Sequence, residues 1–231
     1  MKTIKTLLKN LGGNMTKKKI AASFLGSRDA GRALKTLNVT DVDYIHVDIM
    51  DGKYVKYKTM PYSELSNITY YTEKRLDVHL MVQKPLKWID KLANLNVDCI
   101  TIHLDIKDDI IKVIERCKLY GIKVGIAVNP DQTLDLVNNY LDKIDKVLIM
   151  SVNPGASGQE FIPNSVNKIK QLREEIKNRK LKVIIEVDGG VNFLTAKDLK
   201  DVDIIVSGST ILKSDNFQDT ITKLRKCVSN K

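Results

Sequence analysis

The chain has 231 residues, enough for one large domain, and its 43% hydrophobic and 29% charged residues argue against a disordered or fibrous protein. Its net charge of +10 suits an anionic partner, but the lysines are scattered. With 6% aromatic residues and no clustered basic face, nucleic acid is not expected as a partner. No apolar run approaches the roughly 18–20 residues that span a bilayer, so no membrane partner is expected either. Cys99, Cys117 and Cys227 lack CxxC spacing and read as unpaired thiols of a reducing compartment. Residues 1–18 are basic, lack a hydrophobic stretch and a cleavage site, and read as an N-terminal extension on a cytoplasmic protein.

Eight short apolar, β-branched runs predict strands: Ile20–Phe24, Tyr44–Asp48, Leu76–Leu80, Cys99–His103, Val124–Val128, Lys146–Met150, Val183–Val187 and Ile204–Val206. Segments of helical length separate them. Pro85–Leu95 opens with proline in a first turn, and Asp108–Tyr120 stops at Gly121. Asn164–Lys180 carries Ile169, Leu172 and Ile176 as one apolar stripe. Strands apolar on both faces, alternating with helices, imply parallel pairing buried on both sides. Eight such units, with no GxGxxG loop after the first strand, predict a single-domain α/β protein, a (β/α)₈ TIM barrel over residues 19–231.

The barrel gives the polar residues an address, because sites in this fold sit at the C-terminal ends of the strands. All three histidines, His46, His79 and His103, lie in strand runs. His46 and Asp48 are two apart and share a face of one strand; His79 is on the next, and Asp188 ends the seventh. Two imidazoles and two carboxylates converging on one mouth suit a divalent metal or acid/base chemistry. His103 is either a supporting donor or a packing residue. Met50, Met81 and Met150 are either core filler or a dry, polarizable lid. The loop Ser151–Pro163, the DGG of Asp188–Gly190 and the SGS of Ser207–Ser209 follow the last three strands. Glycine-rich loops there expose backbone N–H groups suited to phosphate.

Together HVDIMDG, DVHLMV, MSVNPG–SGQ–FIP, EVDGGVN and the terminal VSGS resemble the ribulose-phosphate 3-epimerase family, from about Ser23 to Leu212. The resemblance implies an enzyme of the pentose phosphate pathway that interconverts D-ribulose 5-phosphate and D-xylulose 5-phosphate through a cis-enediolate. It implies a divalent metal on His46, Asp48, His79 and Asp188, with Asp48 and Asp188 also as the acid/base pair. Zn²⁺ suits this set best, and Fe²⁺, Mn²⁺ and Co²⁺ are compatible with it. By the same resemblance, Ser23, His79 and the methionines contact the phosphorylated ketopentose, and Gly155, Gly158, Gly189, Gly190, Gly208 and Ser209 hold its phosphate. A homo-oligomer is implied as well.

Three stretches depart from the family pattern. DGKYVKYKTM replaces a phenylalanine-valine-proline-asparagine stretch, Ala156 and Ser157 stand where phenylalanine and glycine are usual, and the first strand continues as SFLGSRDA. The rival readings are an epimerase for a hexulose 6-phosphate such as allulose 6-phosphate, which DGGVN disfavours, and a non-catalytic phosphate-binding barrel.

Overall fold

The computed structural model describes residues 17–59 and 61–229. Most of the expected N-terminal extension therefore lies outside the described residues. Its last residue, Lys18, donates from Nζ to the carbonyls of Lys200 and Val202, both at 2.6 Å.

Eight parallel strands close into one barrel in sequence order: β1 Lys19–Ser23, β2 Tyr44–Met50, β3 Leu76–Met81, β4 Val97–His103, β5 Lys123–Val128, β6 Lys146–Met150, β7 Ile184–Asp188 and β8 Ile204–Ser207. Every expected strand is present, with ends within two residues of those predicted. The helices are α1 Ala30–Asn38, α2 Tyr62–Leu65, α3 Leu86–Leu92, α4 Ile110–Leu119, α5 Asp135–Asn138, α6 Ser165–Asn178, α7 Ser209–Leu212 and α8 Phe217–Ser229. Short 3₁₀ helices cover Ser66–Tyr70 and Thr195–Asp198.

Period-two alternation divides each strand between two environments. In β2, Ile45, Val47 and Ile49 face outward and join the main apolar layer under the helices. Their burial contributes roughly 1.5–3 kcal/mol per side chain. His46, Asp48 and Met50 take the opposite face, toward the lumen. The lumen has its own small apolar clusters: Ala21, Tyr44, Ile204 and Val206 at one level, and Ala127, Leu148, Met150 and Val152 nearer the mouth.

Local chemistry fixes the helix ends. Asp29 and Asp109 cap α1 and α4, their carboxylates accepting from the backbone N–H of Arg32 and Lys112. Gly121, at φ +68°, closes α4 as expected, with Ile122 N–H donating to the Cys117 carbonyl. Helix α6 closes in the same way on Lys180, the one described non-glycine residue with positive φ (53°). Leu181 N–H donates there to the Ile176 carbonyl.

A recurring contact between strands also emerges, which the sequence reading missed. An aspartate precedes β2, β6 and β8, and its carboxylate accepts from a backbone N–H of the strand before. Asp43 takes Ile20 N–H at 2.9 Å, Asp145 takes Val124 N–H at 2.9 Å, and Asp203 takes Ile185 N–H at 2.8 Å.

Candidate active site

Strand register assembles the site. Asp48 lies beside His79 in the β2–β3 ladder, with Met50 beside Met81 one level nearer the mouth and His46 beside Asp77 one level below. Met150 and Asp188 are partners in the β6–β7 ladder. Ligand atoms of His46, Asp48, His79 and Asp188 all lie within 4.8 Å of one another. His46 Nε2 is 3.5 Å from Asp48 Oδ1 and 3.7 Å from Asp188 Oδ2, and His79 Nδ1 is 3.2 Å from Asp48 Oδ1. The Ser23 hydroxyl donates to the other Asp48 oxygen at 3.1 Å.

The ionisable groups of the site shift one another strongly. Burial works against a charged His46 imidazole, but Asp48 and Asp77 outweigh it and hold its pKa well above the usual value. Its Nδ1 is 2.7 Å from Asp77 Oδ2, while Nε2 is buried with no hydrogen-bond partner. Burial would raise the Asp48 pKa, yet His46 and His79 pull it far below the carboxylate range. Asp188 moves the other way: burial first, then the charges of Asp48 and Asp77, hold its pKa up against the histidines. Two carboxylates pushed in opposite directions are the usual basis for dividing acid and base roles.

His103 lies behind His79. Its Nε2 lies 2.8 Å from His79 Nε2, and burial with the neighbouring His79 lowers its pKa well below that of a free histidine. The two imidazoles share one hydrogen bond through their Nε2 atoms, and the tautomer sets which of them donates. Tyr54 covers the other side of His103, its ring centroid 4.6 Å away.

A cavity opens above the four groups, lined by Ser23, Asp48, Met50, Met81, Met150 and Asp188 below and by the loops after β6, β7 and β8 on one side. Gly155, Gly158, Gly189, Gly190, Gly208 and Ser209 all line it. His46 and His79 sit beneath it, so of the expected contact residues only His79 is screened from the cavity. Gly189 has φ +116°, and a Cβ there would lie 2.4 Å from Val152 Cγ2, so this loop tolerates only glycine. Ser151 pins the same turn, its hydroxyl donating to the carbonyls of Asp188 at 2.8 Å and Gly189 at 2.6 Å.

The departing segment after β2 crosses the mouth. Val55 reaches the loop after β6, 3.1 Å from where a Gly155 Cβ would stand. Its Lys53 and Lys58 face a separate rim cavity with Lys84, Lys87 and Lys107. Ala156 and Ser157, in contrast, line the cavity above the four groups.

The sequence reading missed Asp77, Glu186 and Lys146, a buried layer under the site. Asp77 lies two residues before His79 and Glu186 two before Asp188, so the alternation that paired His46 with Asp48 places both on the lumenal face. Lys146 carried no such signal among so many scattered lysines.

Fold and site together define a (β/α)₈-barrel enzyme with an imidazole–carboxylate centre at its C-terminal mouth. The sequence pattern of the Ribulose-phosphate 3 epimerase family matches residues 19–212, and the chain belongs to that family, among the isomerases acting on carbohydrates. A ribulose-phosphate 3-epimerase of Buchnera aphidicola subsp. Baizongia pistaciae is 40% identical over 193 residues, covering 81% of this chain and 85% of that one. The Helicobacter pylori J99 protein of the same name is 37% identical over 198 residues, covering 85% and 91%. The 3-hexulose-6-phosphate synthase of Salmonella typhimurium superposes with a TM-score of 0.61 at 19% identity, over 91% of this chain and 98% of that one; this likeness is one of fold.

Proposed function

We propose that this chain interconverts D-ribulose 5-phosphate and D-xylulose 5-phosphate by moving a proton at C3, as a step of the pentose phosphate pathway in the cytoplasm. The observation that carries the reading is the convergence of His46, Asp48, His79 and Asp188 within 4.8 Å under a glycine-lined cavity. A divalent cation fits these residues. The donor set is two imidazoles and two carboxylates, the buried His46 Nε2 has no other partner, and both rings are oriented from behind by Asp77 and His103. Zn²⁺ suits the set best, and Fe²⁺, Mn²⁺ and Co²⁺ remain compatible. When bound, the cation supplies Lewis-acid stabilisation for the oxygens of a cis-enediolate.

The protein's own residues account for the rest. Asp48 and Asp188 come from β2 and β7, which are not neighbours in the barrel, so their carboxylates can address opposite faces of the substrate carbon. One removes the C3 proton and the other returns a proton to the opposite face, and the roles exchange with the direction of reaction. Ser23, hydrogen-bonded to Asp48, holds that carboxylate in place. The three methionines keep water from the intermediate. Backbone N–H groups of the loops holding Gly155, Gly158, Gly189, Gly190, Gly208 and Ser209 receive the phosphate.

A coupled assay comparing ribulose 5-phosphate with allulose 6-phosphate tests the reading. Faster turnover of the pentulose phosphate is expected, together with about one divalent ion per chain. Preference for the hexulose phosphate would overturn the substrate assignment, and full activity without metal would overturn the ligand assignment.

A further inference from the structure

Directly beneath the four donor groups lies a second ionic cluster that the proposed reaction leaves unused. Lys146 of β6, Asp77 of β3 and Glu186 of β7 project into the lumen at exposures of 2%, 3% and 0%. The Lys146 ammonium contacts both carboxylates. Gly125 on β5 makes room for it: a Cβ there would lie 3.1 Å from Lys146 Cε and 2.6 Å from Thr101 Oγ1. His46, Asp77 and Glu186 are spaced closely enough to share a metal, but a lysine ammonium already bridges the two carboxylates.

Three ionisable groups inside a barrel are costly unless paired, so the lysine has work beyond filling space. The cluster is joined to the mouth at one contact, the 2.7 Å link between Asp77 Oδ2 and His46 Nδ1. A carboxylate hydrogen-bonded to the far nitrogen of a ligating imidazole fixes its tautomer and ring orientation. Asp77 must therefore keep one oxygen on His46 while the Glu186 carboxyl, its pKa pushed up to about 8 by burial and by Asp77, stands beside it. Lys146 makes that arrangement possible by holding the other Asp77 oxygen, Oδ1, and balancing the Asp77 charge.

We propose that Lys146 is a positioning residue for the metal centre: it clamps Asp77 so that His46 presents Nε2 to the cation. This rests on the metal reading above. Removing the ammonium frees Asp77 to turn from His46, and a donor supplied from the Glu186 position would hold it again.

The test is titration of the chelator-stripped full-length chain with Co²⁺, followed by calorimetry and by the visible cobalt bands. Four forms are compared: wild type, Lys146→Met, Lys146→Met with Glu186→Gln, and Lys146→Met with Glu186→Leu. Lys146→Met is expected to weaken cobalt binding about 10–100-fold and to alter the bands. Adding Glu186→Gln supplies an amide donor to Asp77 and restores affinity and spectrum, whereas Glu186→Leu supplies none and leaves both impaired. The two double variants both lack the Glu186 carboxyl, so their comparison decides the matter even if the single variant does not fold. Equal affinity across the folded forms, or a glutamine variant no better than the leucine one, would overturn the role of Lys146. A wild type that binds no cobalt would overturn the metal reading itself.

Discussion

In the proposed reaction the two aspartates divide the labour of the site because their surroundings differ, not because their chemistry does. Asp48 lies between two imidazoles and a serine hydroxyl, while Asp188 borders the cavity with its charged form opposed by burial and by its neighbours. Replacing either carboxylate by an isosteric amide keeps the packing and removes proton transfer. Asp48→Asn and Asp188→Asn are each expected to lower kcat by at least about 10²–10⁴-fold while circular dichroism stays native. Near wild-type turnover from either variant would refute the two-carboxylate mechanism. His46, Asp48, His79 and Asp188 were legible in sequence because period-two alternation fixes which residues share a strand face. Asp77 and Glu186 obeyed the same rule, but Asp77 stands second in its apolar run and reads as the strand's polar edge. Lys146 was not legible, because only the closed barrel brings β6 to β3 across the lumen and the missing Cβ of Gly125 opens the space.

The strands and loops differ in how far local sequence determines them. Strands buried on both faces announce themselves as continuous apolar runs, so all eight were foreseen. The segment after β2 was not, because its path depends on contacts with His103 and Gly155 far along the chain. Two substitutions test the reading of these elements. Gly189→Ala forces a side chain into φ +116° against Val152; it should cost about 1–3 kcal/mol in urea unfolding and raise KM for the sugar phosphate. Unchanged stability and KM would mean that the loop is not held as described. Lys180→Gly acts in the opposite direction. Lys180 ends α6 at φ +53° and is exposed, a conformation that suits glycine as Gly121 does after α4. The midpoint of urea unfolding should rise by the equivalent of about 1 kcal/mol with an unchanged slope, and a lower midpoint would contradict the strain assigned to that cap.

At the scale of the whole molecule, the count of eight β/α units was enough to foresee closure, and closure in turn addressed the polar residues to one mouth. The aspartates before β2, β6 and β8 escaped the sequence because their partners are backbone groups, which carry no residue identity. Since the donor groups come from three strands, a bound cation would tie β2, β3 and β7 together and stabilise the folded barrel by linkage. Divalent metal at 100 times its Kd should add about 2.7 kcal/mol and raise Tm by several degrees over the chelator-treated chain; equal melting would argue against a metal held by these strands. The most direct measurement of the central claim is epimerisation of ribulose 5-phosphate in D₂O, with the C3 isotope of the product read by NMR. A proton removed by one aspartate and replaced from the other should give xylulose 5-phosphate carrying deuterium at C3. Absence of turnover by the metal-loaded protein, or a product that retains the original hydrogen at C3, would contradict the account.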